Sequence, residues 1–177
     1  MLNEPNIKKI RESVLFLLNS ACADLDQYKI AKAIFLADVS HLNRYGRPVT
    51  YDNYVAMKFG PVPSKTYELL RDKPEELAIE VKELRGKVKI FAPLRLHEEL
   101  ELSESDEFEL LAALKIVETS SFHDLMKMTH DHAAWETARA DKKDDAPRME
   151  YARLFAERDQ VRADYIARFS KQVGCTT

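Results

Sequence analysis

The sequence predicts a mainly α fold, a compact helical domain with one small β-hairpin and a long C-terminal helix. Three observations carry that expectation. Apolar residues recur at helical spacing in one segment after another. Two-residue alternation is confined to a single stretch, residues 79–92. Only four glycines and seven prolines occur among 177 residues, of which 45% are apolar and 32% charged. That composition leaves little chain for low-complexity tracts or long flexible linkers. A chain of this length holds one domain with a real core and an appended arm.

Ile7, Ile10, Val14, Leu17, Leu18 and Ala21 mark a first helix, with Pro5 where a first turn tolerates it. Asp24 or Asp26 caps a second helix that runs to Tyr45 and stops at Gly46. Ile30, Ala33, Ile34, Ala37 and Leu42 bury that helix. A third helix is expected from about Tyr51 to Phe59, stopped by Gly60. Pro61 and Pro63 then enforce a rigid turn, and Ser64 caps a short fourth helix. Residues 79–92 read as the hairpin, with Arg85-Gly86 as the turn. This register sets Val81 opposite Ile90, Ile79 opposite Ala92 and Glu83 opposite Val88, which makes one face apolar. Ser103 with Asp106 resembles a capping box, followed by Phe108, Leu111, Leu114 and Val117. Ser121 with Asp124 repeats the device before Leu125, Met126 and Met128. Residues 1–140 thus form the domain, and 141–177 a polar linker plus a C-terminal helix packed on the domain or on a partner. That helix opens at Asp145 and Pro147, runs to about Val173, and carries Tyr151, Leu154, Phe155, Val161, Tyr165, Ile166 and Phe169.

Composition also bounds function. The net charge of −3 and pI near 6.0 give no global basic field for nucleic acid. Cys22 and Cys175 form no CxxC pair and no disulfide framework, which suits a reducing cytoplasm. The N-terminal apolar run, VLFLL, is too short for a signal peptide or a membrane span.

Three constellations carry competing chemistry. His123, His130 and His132, with Asp131 and Glu136, are the best metal candidate, for a metal-dependent hydrolase. They lack an HxxxH or ExxH spacing and a fourth ligand, so they read first as helix-end and core-edge histidines. The helix–GPVPS–helix unit would place Lys65, Thr66, Tyr67 and Arg71 in a DNA groove, as in an autorepressor. Glu68 and Asp72 beside them oppose that reading. The carboxylates from Glu98 to Glu109 are a solvated helix start or an electrostatic docking surface. Cys175 has no base near it in the sequence, and Trp135 reads as a core-edge anchor.

Four segments carry a family resemblance. KIAKAIFLAD resembles the KLxKLLYFAD helix of the Panacea, or SocA-like, antitoxin domain, which includes GepA-type phage-associated proteins. HLNRYGRPVTYDNYVAMKFGPVPS resembles that family's HxxxxGxPLTGDxYxAxxxGPV segment. LSESDEFELLAAL and MTHDHAAWETA resemble its later helix start and TH…W element. The match covers roughly residues 10–140 in order, with Ala33 in place of a usual Leu and Tyr51 in place of the Gly after the Thr. The resemblance implies a helical antitoxin of a two-gene operon, in a bacterial or prophage setting. Such a protein neutralises its cognate toxin by direct binding, and one branch delivers the toxin to the ClpXP protease. It implies no catalytic residue and no cofactor, no membrane partner and no expected nucleic acid. The motif residues Lys29, Lys32, Asp38, Gly46, Pro48, Ala56, Gly60, Pro61, Val62, His130 and Trp135 then serve as fold determinants. Aromatic and basic character, not the family, nominates Tyr45, Arg47, Tyr51, Lys58 and Phe59 around the GPVP turn, with Pro61 and Val62, as partner contacts. The exposed face of the C-terminal helix joins them.

Overall fold

Helices α1 (Ile7–Ser20), α2 (Gln27–Tyr45) and α4 (Glu104–Thr119) enclose the main core of this computed structural model. It describes residues 4–86, 88–98, 100–140 and 144–155. Ile10, Val14 and Leu17 meet Ile30, Ile34, Leu110, Leu114 and Val117 there, all buried. Helices α1, α2 and α4 each begin at a side-chain cap. The side chains of Asn6 and Asp26 accept from the N–H of Lys9 and Lys29. Ser103 and Asp106 form a reciprocal capping box, and Ser121 caps α5 (Phe122–His130). Gly46 ends α2 as expected, its N–H donating to the Leu42 carbonyl at 2.9 Å. Helices α2 and α4 run antiparallel. Arg44 pairs with Glu109 at one end, and Glu118 accepts from the N–H groups of Cys22 and Ala23 at the other. Helices α3 (Ser64–Asp72) and α6 (Ala133–Ala140) complete the helical set among the described residues, with a short 3-10 turn at Pro74–Leu77.

The third helix expected over Tyr51–Phe59 is instead an antiparallel hairpin, so the described residues hold two hairpins rather than one. Strand β1 (Tyr54–Met57) pairs with β2 (Gly60–Pro63) in the register Tyr54↔Pro63, Val55↔Val62, Ala56↔Pro61 and Met57↔Gly60. Lys58 and Phe59 form the turn. The prolines do not make a rigid link between two helices, so no helix-turn-helix unit forms. Lacking an N–H, they fit the pairs that exchange no ladder bonds, while Val62 and Gly60 face β1. Ala56 and Tyr54 accordingly aim their backbone groups away from β2. The helical reading failed because four-residue strands carry only two inward positions each, too few to expose a period of two.

The second hairpin pairs β3 (Ile79–Arg85) with β4 (Val88–Pro93), in a register other than the expected one. Ile79 faces Pro93 and Val81 faces Phe91; a bulge between Val81 and Glu83 then brings Glu83 opposite Ile90 and Arg85 opposite Val88. Two physical causes act. The turn starts one residue later, because Gly86 supplies its left-handed position (φ 66°). The bulge inserts Lys82, which reaches Asp24 at 2.7 Å.

The long helix expected from Asp145 is also absent from the described part of that segment. Residues 147–149 run extended along β1: the Ala56 N–H donates to the Pro147 carbonyl at 2.8 Å, and the Met149 N–H to that of Tyr54 at 2.9 Å. This strap satisfies the backbone groups that β1 turns away from β2. A 3-10 turn at Tyr151–Leu154 follows. Met149, Leu154 and Phe155 then close a second core with Phe35, Leu42, Tyr54, Ala56 and Ala134. The remainder of the expected helix, residues 156–177, lies outside the described residues, as do 141–143 of the polar linker. No described helix is long and apolar enough to cross a membrane.

Ser64 does not cap α3. Pro63 takes the N-cap position and offers no side-chain acceptor. Asp52 supplies the cap from twelve residues away, accepting from the N–H of Lys65 at 2.9 Å and from the N–H and Oγ1 of Thr66 at 2.8 Å each. Replacing Asp52 by Ala is expected to destabilise the fold by about 2–3 kcal/mol in urea denaturation. Ser64→Ala should stay within about 0.5 kcal/mol of the parent.

Candidate functional site

Helix α2 carries three buried polar residues, Lys32, Asp38 and His41, and each grips a different part of the chain that follows. Asp38 accepts from the N–H groups of Val49 and Thr50 at 2.9 Å, from the Thr50 hydroxyl, and from Tyr54 Oη at 2.8 Å. Burial pushes its carboxyl up to about 6, against the pull of those donors. His41 Nδ1 lies 2.7 Å from the Arg47 carbonyl, and Pro48 is buried beside it in sequence. Arg47 turns its guanidinium inward, to Asp106 at 2.8 Å and to the Ser103 hydroxyl at 3.1 Å. Burial alone would raise the Asp106 carboxyl, but Lys9, the Ser103 N–H and Arg47 hold it down at about 2.

Lys32 grips the β1–β2 hairpin. Only 1% exposed, its Nζ donates to the Pro61 carbonyl at 2.8 Å and lies 4.9 Å from the centre of the Tyr28 ring. Gly60 sits against it at φ 107°; a Cβ there would fall 2.8 Å from Lys32 Nζ and 2.7 Å from Thr129 Oγ1. From the other side, Trp135 Nε1 donates to the Met57 carbonyl at 3.1 Å. His130 stacks on Trp135 at 3.7 Å and hydrogen-bonds the Lys58 backbone. The hairpin tip is therefore held from both sides, and what it presents outward is Phe59 and Lys58.

Phe59 is 48% exposed and meets Phe122, 52% exposed, edge-on at 5.7 Å. Phe122 in turn packs on Tyr28 at 4.7 Å, and the Lys58 ammonium lies 5.4 Å from the Phe59 ring centre. The result is an aromatic cluster of three rings from three elements: exposed Phe59 on the braced hairpin, exposed Phe122 on α5 and half-buried Tyr28 on α2. Tyr28 and Phe122 are absent from the sequence-based nominations. A weak signal exists for Phe122, which directly follows the Ser121 cap and so stands on an outer first turn.

The nominated contact residues separate into distinct places. Tyr45 is exposed and packs on His41 at 4.5 Å; Arg47 faces the interior, and Tyr51 is half-buried at φ 58°. Tyr45 and the Tyr28 aromatic surface stand at opposite ends of α2, ~25 Å apart at 1.5 Å per residue. Pro61 and Val62 are buried and support the surface rather than form it.

The competing constellations also resolve. His132 packs on Phe35 at 5.4 Å and accepts from the Ala134 N–H, and His123 is exposed. Burial pushes His130 and His132 down. No group of three or more His, Cys, Asp and Glu among the described residues is placed to hold a metal ion. Of the basic residues of α3, Lys65 pairs with Glu68 at 2.8 Å and Arg71 with Asp72 at 2.7 Å. Glu109 is buried and paired with Arg44, whereas Glu104 is exposed.

Lys32 makes stability depend on pH. Burial pushes its amine from 10.5 down to about 7. Between those values the unfolded chain keeps a proton that the native state sheds, so this residue favours folding more as pH rises from 7 towards 10. Between pH 7 and 9 the parent protein should gain about 1–2 kcal/mol relative to Lys32→Met, measured by chemical denaturation at each pH.

Residues 30–136, more than half of the chain, match the family described as antitoxin SocA-like, Panacea domain. That span opens inside α2 and closes just after Trp135, and it contains Lys32, Asp38, the braced hairpin and Phe122. Neither a curated protein nor a solved structure matches the chain. The chain belongs to the SocA-like antitoxin family of the Panacea domain.

Proposed function

We propose that this protein is an antitoxin that neutralises a cognate toxin protein by direct contact, with Phe59 and Phe122 at the centre of the interface. The observation that carries the reading is the half-exposed aromatic pair of Phe59, on a hairpin already fixed by Lys32 and Trp135, and Phe122, on the first turn of α5. Interface energy concentrates in a few buried aromatic and Arg anchors. Anchors held in place before binding lose little conformational freedom on complex formation. Tyr28 backs the pair and Lys58 adds a cation at its rim. Neutralisation then proceeds by covering the toxin's active or target-binding surface, which requires no catalytic group on this chain. The partner is the product of an adjacent gene, encountered in a bacterial cytoplasm.

Co-expression with the neighbouring gene tests this. Cells should survive with the parent protein and die with Phe59→Asp or Phe122→Asp, while both variants keep the parent melting temperature. Their affinity for the purified toxin should fall about thirtyfold or more, equivalent to about 2 kcal/mol. Tyr45→Asp, at the far end of α2, should still rescue. A neighbouring gene that is harmless alone, or full rescue by both aspartate variants, overturns the proposal. The toxin's lifetime with ClpXP present separates two mechanisms: faster loss when the antitoxin is added indicates delivery to the protease, and an unchanged lifetime indicates occlusion alone.

A further inference from the structure

A second exposed apolar feature lies away from the hairpin. Between α2 and α4 a groove of about 330 Å³ opens to solvent, lined by Leu36, Val39 and Ser40 on one wall and Glu109, Ala112 and Ile116 on the other. Phe108, 57% exposed, extends the α4 wall by one turn towards Arg44, whose guanidinium lies 5.7 Å from its ring centre.

The path of the chain leads to this groove. Leu36, Val39, Ser40 and Asn43 form one stripe along α2. Leu36 and Val39 pack against the second core, where Leu154 and Phe155 are buried, and Asn43 Nδ2 donates to the Leu154 carbonyl at 3.1 Å. The described chain therefore ends at Phe155 beside the α2 wall, with residues 156–177 still to follow.

Those residues suit the groove in sequence. Val161, Tyr165, Phe169 and Val173 recur every fourth position, with Ile166 beside them, an apolar stripe of helical period. As a helix, residues 156–173 would span ~27 Å, close to the length of α2.

We propose that the groove between α2 and α4 is filled by this chain's own residues 156–173. The groove is lined by none of Tyr28, Lys58, Phe59 and Phe122, so this seat stands or falls independently of the toxin contact.

Limited trypsin digestion of the full chain, read by mass spectrometry at Arg162 and Arg168, tests the seat against a free peptide of residues 156–177. Cleavage at both sites should be at least tenfold slower in the protein than in the peptide. Ala112→Arg, which fills the groove with a bulky cation, and Phe169→Asp, which removes an apolar contact, should each restore the peptide's rate. Cleavage within residues 30–136 should not change. Should Ala112→Arg loosen that region, Phe169→Asp alone still decides, since it lies outside it. Three results overturn the proposal: equal rates in protein and peptide, protection that survives Phe169→Asp, and protection that appears only at high protein concentration or only with toxin present. The last would assign the groove to a second copy or to the partner.

Discussion

Everything around the hairpin depends on one buried carboxylate. Asp38 lies inside the protein, where an unpaired charge would be strongly unfavourable, and four donors from residues 49–54 converge on it. That requirement pulls the chain leaving α2 back against the helix. Thr50, which donates to Asp38, also accepts from the Asp52 N–H through its Oγ1 at 3.2 Å. Asp52 is thereby aimed at the start of α3, and Tyr54, bonded to the same carboxylate, opens β1. One charge positions a loop, a helix start and a strand. Loss of one partner would disturb all three, because groups sharing a network do not act additively.

The frame divides the labour between interior and surface. Motif residues such as Lys32, Asp38, Gly60 and Pro61 face inward and fix the backbone, and none of them is accessible to a partner. The rings that are accessible, Phe59 and Phe122, stand on elements that this interior braces. An antitoxin family can keep such a frame while varying what it displays, because the frame constrains backbone positions and leaves the outward side chains free.

Much of the helical fold was legible in the sequence because its signals are local. Asp26, Ser103 and Ser121 each cap a helix within three residues of themselves, and Gly46 stops α2 where expected. Signals acting across the chain were hidden. Asp52 caps α3 from beyond a hairpin, so Ser64, the nearer residue, attracted the role. The hairpin itself read as a helix between two glycines, since four-residue strands show too little alternation and their outer partner, residues 147–149, lies some ninety positions away. The same limit explains the candidate site. Lys58 and Phe59 stood out as exposed aromatic-plus-basic character near the GPVP turn, whereas Tyr28 and Phe122 join them only through the tertiary fold. Arg47, nominated on the same grounds, is drawn inward by Asp106.

The strap over β1 also answers a hazard common to small sheets. An unpaired strand edge is a template on which other chains can add, and a two-stranded hairpin has two such edges. On β2 the prolines at positions 61 and 63 remove the amide donors, and the Pro61 carbonyl is taken by Lys32. On β1 residues 147–149 occupy the outward groups of Tyr54 and Ala56. The segment that closes this edge lies beyond the family-matched residues 30–136. A version of the protein ending with the matched domain would carry a templating edge beside Phe59, so residues 147–149 shield the hairpin against edge pairing.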